Sequence, residues 1–243
     1  MFLKQKKEAE KRKTCVAIVP AAGSSTRMKQ CGDKLFLSVC DTPIITLTLS
    51  SLQNSPYIDE IIIPTREDLV DEIKKLCEAI SLDKVKSVVS GGKTRSESVL
   101  NGIIEAGNRF DLVAIHDAAR PFISQKIIAD TILAAAKYNA AAPAVPLKDT
   151  VKEAESRLIK RTVPRDSIVA IQTPQVFDAT LIAGALKKAV DENSPITDDC
   201  SAVEQIGMRV FLTDGDYFNI KITTPEDLIF AEAIFKNRNE ATL

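Results

Sequence analysis

The stretch TCVAIVPAAGSSTRM, residues 14–28, decides the fold. Residues 14–20 form an apolar, β-branched run of the kind buried on both faces in a parallel sheet. The run gives way at once to Ala21, Ala22, Gly23, Ser24 and Ser25, then to Arg27 and, a little further on, Lys34. Small residues let backbone N–H groups approach an anion closely, and two cations in the same loop suit a polyphosphate. The loop is neither G-x-x-x-x-G-K-[ST] nor G-x-G-x-x-G, so it is not a P-loop, and a dinucleotide site is disfavoured.

Working outward, IDEIIIPT (58–65), KVKSVVS (84–90) and DLVAIHD (111–117) repeat the strand pattern. Between them Leu69, Val70, Ile73, Leu76, Cys77 and Ile80 recur at helical spacing, as do Val99, Leu100, Ile103 and Ile104. Thr42-Pro43 and Thr224-Pro225-Glu226-Asp227 read as helix starts, with a capping residue followed by Pro at the first helical position. Strands alternating with helices predict an α/β fold with a doubly wound, mostly parallel sheet and helices on both faces. The rhythm breaks at AAAPAVPLKDTV (140–151), KEAESRL and IKRTVPRD (159–166), where two short β-like pieces around a charged turn predict a projecting hairpin arm at about 147–166. Residues 1–13, MFLKQKKEAEKRK, are densely charged and read as a solvated extension, leaving 14–243 as one domain.

The 243 residues carry 32 Lys plus Arg against 33 Asp plus Glu, a net charge of -1 that argues against broad nucleic-acid or membrane-surface binding. No apolar run approaches the ~18 residues of a membrane span. Five scattered cysteines without a C-x-x-C pair predict reduced thiols in a cytoplasmic protein, and a single histidine, His116, argues against a zinc site.

A second loop, HDAARPF (116–122), ends the fourth strand and faces the same crevice as the first. Asp117 is the natural holder of a Mg²⁺ that bridges phosphates. Arg120 suits either a phosphate or a salt bridge that pins the loop, and His116, in an apolar strand end, reads as packed and neutral.

These motifs occur in order with GGKTRSESVLNGI (91–103), LKDT (147–150), TVPRD (162–166), QTPQVF (172–177), ITDDCSAVE (196–204) and NIKITTPEDL (219–228). Over about residues 14–236 the chain resembles the 2-C-methyl-D-erythritol 4-phosphate cytidylyltransferase family. The resemblance implies a CTP- and Mg²⁺-dependent nucleotidyltransferase, homodimeric through its arm, acting on methylerythritol phosphate. Arg27, Lys34 and Lys221 would face the CTP phosphates. Ala21, Ala22, Gly23, Gly92, Arg95 and Ser98 would form the cytidine pocket, with Ser98 as a side-chain partner. Asp117 would serve the metal. Thr150, Arg165 and Thr197 would belong to the acceptor side, with Thr173 near Arg165 as support. Asp33, Leu35 and Lys93 depart from the family pattern. A ribitol 5-phosphate cytidylyltransferase and a nucleotide-binding module without catalysis are the alternative readings.

Overall fold

A computed structural model describes residues 12–23 and 35–240. Arg27, Lys34 and Asp33, and residues 1–11 of the expected extension, lie outside the described residues. Arg12 does not belong to a solvated tail: its guanidinium binds the Asp59 carboxylate and the Tyr57 carbonyl, pinning the chain as it enters the sheet.

The chain opens with β1 (Cys15–Ile18), then a two-residue hairpin of β2 (Ser38–Val39) and β3 (Thr42–Pro43) leading into α1 (Ile44–Gln53). Next come β4 (Glu60–Thr65), α2 (Val70–Ala79), β5 (Val85–Ser90), α3 (Arg95–Ala106), β6 (Leu112–Ile115) and α4 (Gln125–Tyr138). β7 (Ala140–Pro146) precedes the arm, which is β8 (Lys152–Glu155) paired antiparallel with β9 (Leu158–Thr162). The chain returns through β10 (Val169–Ile171) and β11 (Gln175–Asp178) to α5 (Ala179–Asp191), α6 (Asp199–Gln205), β12 (Phe211–Asp214) and α7 (Pro225–Glu240).

One sheet runs in the order β5–β4–β1–β6–β11–β7, with β5, β4, β1 and β6 mutually parallel and β11 inserted antiparallel between β6 and β7. β10 and β11 pair with the same side of β7, and β12 adds parallel to its other side. The central strand β1 shows why the sheet is doubly wound. Cys15, Ala17 and Val19 pack with α1, α2 and α4 on one face, while Val16 and Ile18 pack with α3, α5 and α6 on the other. All five are fully buried, as the continuous apolar run requires.

Two local expectations shift. Thr42 and Pro43 form the return strand of the β2–β3 hairpin, and α1 starts at Ile44. The cause is the turn Cys40-Asp41, whose two positive φ values (46° and 64°) match a type I′ hairpin and extend pairing to Pro43. Ile80 and Ile104, placed by spacing on one apolar face, are 41% and 68% exposed: Ile80 lies past the end of α2, and Ile104 stands off the buried stripe of α3 formed by Val99, Gly102, Ile103 and Ala106. At α7 the expected start holds: Pro225 is the first helical residue, Glu226 and Asp227 stand in the first turn, and the Asp227 carboxylate accepts from the Thr223 and Thr224 N–H groups ahead of the helix.

Candidate active site

The C-terminal ends of β1, β4, β5 and β6 meet in an open cleft of about 660 Å³. Its lining comes from the loops that follow them: Pro20–Gly23, Thr65–Glu67, Ser90–Ser98 and Asp117–Ala119, with Lys221 opposite. Backbone bonds tie these loops together. Ala21 N–H donates to the Pro64 carbonyl at 2.7 Å, and Gly91 N–H to the Thr65 carbonyl at 2.6 Å. The Gly91-Gly92 step is forced by packing: a Cβ on Gly91 would sit 2.8 Å from Ser98 Oγ, and one on Gly92 only 2.2 Å from Glu97 Cβ. Close approach, not positive φ, requires glycine here.

Ala21, Ala22, Gly23, Gly92, Arg95 and Ser98, the expected base pocket, therefore do lie around one cleft. Two of them have tasks the motif does not announce. Ser98 is buried; its hydroxyl accepts from Gly92 N–H at 3.0 Å and donates to the Thr94 carbonyl at 2.8 Å, so it braces the glycine loop. Arg95, the first residue of α3, forks onto Asp199 with contacts of 2.9 and 2.8 Å.

Asp117 floors the cleft inside a cage of cations. Its Oδ2 lies 3.0 Å from Lys221 Nζ and 3.2 Å from Arg120 Nε, and its Oδ1 lies 3.5 Å from Arg95 Nη2. Burial alone would favour the neutral acid, but Lys221, Arg95 and Arg120 outweigh it and hold the carboxyl well below the usual carboxylate range. Arg120 takes the loop-pinning role: it also donates to the Asn219 carbonyl at 2.8 Å, joining the HDAARPF loop to the segment that carries Lys221.

Beneath Asp117 the polar groups close a ring. Asp117 N–H donates to Thr173 Oγ1 (3.1 Å), and that hydroxyl meets His116 Nδ1 at 3.0 Å. His116 Nε2 faces the Arg120 carbonyl at 3.2 Å. A carbonyl only accepts, so Nε2 carries the proton and Nδ1 accepts from Thr173. Burial pushes His116 down to about 4, which keeps it neutral as expected. Thr173, expected as support for Arg165, is buried in this ring, where its hydroxyl satisfies both an N–H and an imidazole.

Thr150, Arg165 and Thr197 are not brought into the cleft's lining. Thr150 and Arg165 are exposed at the arm's root, where Arg165 donates to the Lys148 carbonyl at 2.8 Å. Thr197 is exposed just before α6. Sequence reasoning missed Asn219, whose amide donates to the Thr173 carbonyl, and Asp199, Arg95's fully buried partner. The acid pair in ITDDC was a signal for the second, but the stretch reads first as a helix start with Thr197 as cap; the cap is Asp198, which accepts from Ser201 N–H. Of the departures, Leu35 is buried in the core and Lys93 is exposed on the cleft's rim.

No group of three metal-ligating side chains forms among the described residues. Asp117 offers one carboxylate, with Oδ1 less engaged than Oδ2. That donor fits a hard cation drawing its remaining ligands from substrate phosphates and water. No described helix is long and apolar enough to cross a membrane.

An open α/β sheet whose strand ends frame a glycine-edged cleft with a cationic floor defines a nucleotide-handling enzyme. The comparisons narrow this. Residues 15–237 match the family model for 2-C-methyl-D-erythritol 4-phosphate cytidylyltransferase (IspD). Curated relatives of that name include one from Clostridium novyi, 44% identical over 93% of this chain and 97% of its own. Another, from Halalkalibacterium halodurans, is 41% identical over 91% and 96%. The crystal structure of the 4-diphosphocytidyl-2C-methyl-D-erythritol synthase from Anaerococcus prevotii superposes with a TM-score of 0.82 at 35% identity, covering 92% of this chain and 96% of that one. The Thermus thermophilus cytidylyltransferase gives 0.76 at 31% identity, covering 92% and 99%. The chain belongs to the 2-C-methyl-D-erythritol 4-phosphate cytidylyltransferase family.

Proposed function

We propose that the chain transfers the cytidylyl group of CTP to 2-C-methyl-D-erythritol 4-phosphate, releasing pyrophosphate, in the cleft above Asp117. An acceptor phosphate oxygen attacks the α-phosphorus in line. A P–O bond forms there as the bond to the β-phosphate's bridging oxygen breaks, and the electron pair leaves with pyrophosphate. The nucleophile is already an anion, so no general base and no covalent enzyme intermediate are needed. Catalysis then rests on positioning and on stabilising charge at phosphorus.

The observation that carries this reading is the Asp117 cage. Lys221 is held 3.0 Å from a buried carboxylate, yet its side chain is 38% exposed and lines the cleft. This presents a fixed positive charge where the α-phosphate would lie. The glycine-edged loops at 21–23 and 91–92 suit the base and sugar through main-chain contacts, and Arg27 and Lys34 add charge from the first loop. Asp117 would hold Mg²⁺ through Oδ1; when bound, the ion would neutralise charge on the triphosphate. The four described cysteines are free thiols, in keeping with a cytoplasmic enzyme.

We assign the acceptor phosphate to Thr150, Arg165 and Thr197, with the first two reaching a neighbouring copy's cleft across a homodimer. The arm supports this. Leu158 and Ile159 are 74% and 67% exposed on a two-stranded ribbon outside the main sheet, a surface that a two-fold partner would bury. The test of the function is pyrophosphate release from CTP with a panel of acceptors. Methylerythritol phosphate should far exceed ribitol 5-phosphate. The reverse order would overturn the acceptor assignment, and release with neither would overturn the reaction.

A further inference from the structure

We infer that Asp199 is a positioning residue for the transfer: its fork with Arg95 holds that guanidinium off Asp117, leaving the Asp117 carboxylate to Lys221. The inference rests on the cytidylyl-transfer reading and adds a residue to it. Three cations crowd one carboxylate at the cleft floor, and their distances are unequal. Lys221 and Arg120 sit 3.0 and 3.2 Å from Oδ2, while Arg95 stands back at 3.5 Å from Oδ1. Arg95 turns both terminal nitrogens to Asp199: Nη1 donates to Oδ1 at 2.9 Å, and Nη2 stands 2.8 Å from Oδ2 as a charge contact without hydrogen-bond geometry.

Asp199 is fully buried and cannot follow Arg95 if the latter moves. It opens α6, whose start is locked to β11 through Gln175: the Gln175 amide donates to Asp198 Oδ2 (2.7 Å) and its oxygen accepts from Cys200 N–H (3.0 Å). The helix is capped reciprocally by Asp198 and Ser201. Arg95 is therefore tethered to a fixed anchor, and it meets Asp117 at Oδ1 whereas Lys221 meets it at Oδ2. Without the anchor's charge, the guanidinium is drawn to the carboxylate it already faces at 3.5 Å, Asp117, where it would compete with the lysine facing the α-phosphate. Asp199 thus acts on the substrate-facing Lys221 indirectly, through Arg95 and then Asp117.

The test is Asp199→Asn in the full-length enzyme. The amide keeps the shape but leaves one Arg95 N–H opposite an N–H₂ group. Well below the melting temperature, kcat should fall 10-fold or more while KM for CTP stays within about 3-fold, since Asp199 does not line the cleft and the main chain of Ala21–Gly23 and Gly92 is untouched. A purely structural Asp199 would lower the melting temperature and leave kcat at the wild-type value, which would overturn the proposal. A crystal structure of the variant reads the cause directly and does not depend on activity. The Arg95 guanidinium should move toward Asp117, and an unmoved guanidinium would count against the proposal even if the wild type released no pyrophosphate, a result that would overturn only the reading beneath it. If Asp199→Asn does not fold, Arg95→Lys decides. It keeps the charge and loses the fork, so kcat should fall comparably; wild-type kcat would overturn the proposal.

Discussion

At Asp117, burial and charge pull in opposite directions, and charge wins. The carboxyl is held well below its ordinary range by three cations, so Lys221 keeps an ionised partner throughout the physiological pH range. Lys221→Ala should therefore lower kcat by roughly 10²–10³, the usual cost of removing one donor aimed at transition-state charge, with a much smaller loss of CTP affinity. Steady-state kinetics beside equilibrium CTP titration checks this; an unchanged kcat at saturation would remove Lys221 from the chemistry. His116, the chain's single histidine, gives an unusually clean second prediction. Its folded value lies near 4, below the ~6.5 of an unfolded chain. Between those values the unfolded state binds more protons, so this residue's contribution to stability is intact above about pH 6.5 and declines toward pH 4. The lone imidazole Cε1 proton should show no titration by NMR until the pH approaches 4. A midpoint near 6.5 would contradict the buried ring.

Among the elements, α3 packs tightly against the sheet at Gly102. A Cβ there would lie 2.8 Å from both Ile18 Cγ2 and Pro64 Cγ. Gly102→Ala should therefore destabilise by about 1–3 kcal/mol through overpacking, despite alanine's better helix propensity. Urea denaturation measures it, and a stabilised variant would mean that α3 can lift without cost. The same element shows what was legible in the sequence. Strands β1, β4, β5 and β6 were readable because burial on both faces demands continuous apolar runs, and the arm was readable from β-like pieces around a charged turn. Thr42-Pro43 misled because the helix-start motif cannot reveal that Cys40-Asp41 adopts a type I′ turn just before it. At the site, the motifs located the cleft but not the division of labour within it. Ser98, Thr173 and Arg120 all look like ligand contacts in one dimension. Whether a hydroxyl or guanidinium faces substrate or a neighbouring loop depends on partners 6 to 99 positions away, which no local pattern encodes.

Across the whole molecule, the cleft and the proposed acceptor residues do not coincide within one chain. The arm's root is fastened to the loop before Lys221: Tyr217 donates its hydroxyl to the Pro146 carbonyl at 2.8 Å, and Lys148 lies 3.7 Å above the Tyr217 ring. An arm placed so firmly outside the sheet is suited to serving a neighbour. Refolding Lys221→Ala and Arg165→Ala chains together should restore activity to roughly a quarter of all sites, because about half the dimers are mixed and each then has one intact site. Mixing that restores nothing would show that Arg165 acts within its own chain. The reaction itself can be followed atom by atom. With methylerythritol 4-phosphate carrying ¹⁸O in its non-bridging phosphate oxygens and unlabelled CTP, attack at the α-phosphorus keeps every label in the cytidylylated product, one of them in the new bridge. Mass spectrometry should find that product and pyrophosphate free of ¹⁸O. Labelled pyrophosphate, or no cytidylylated product, would contradict the account.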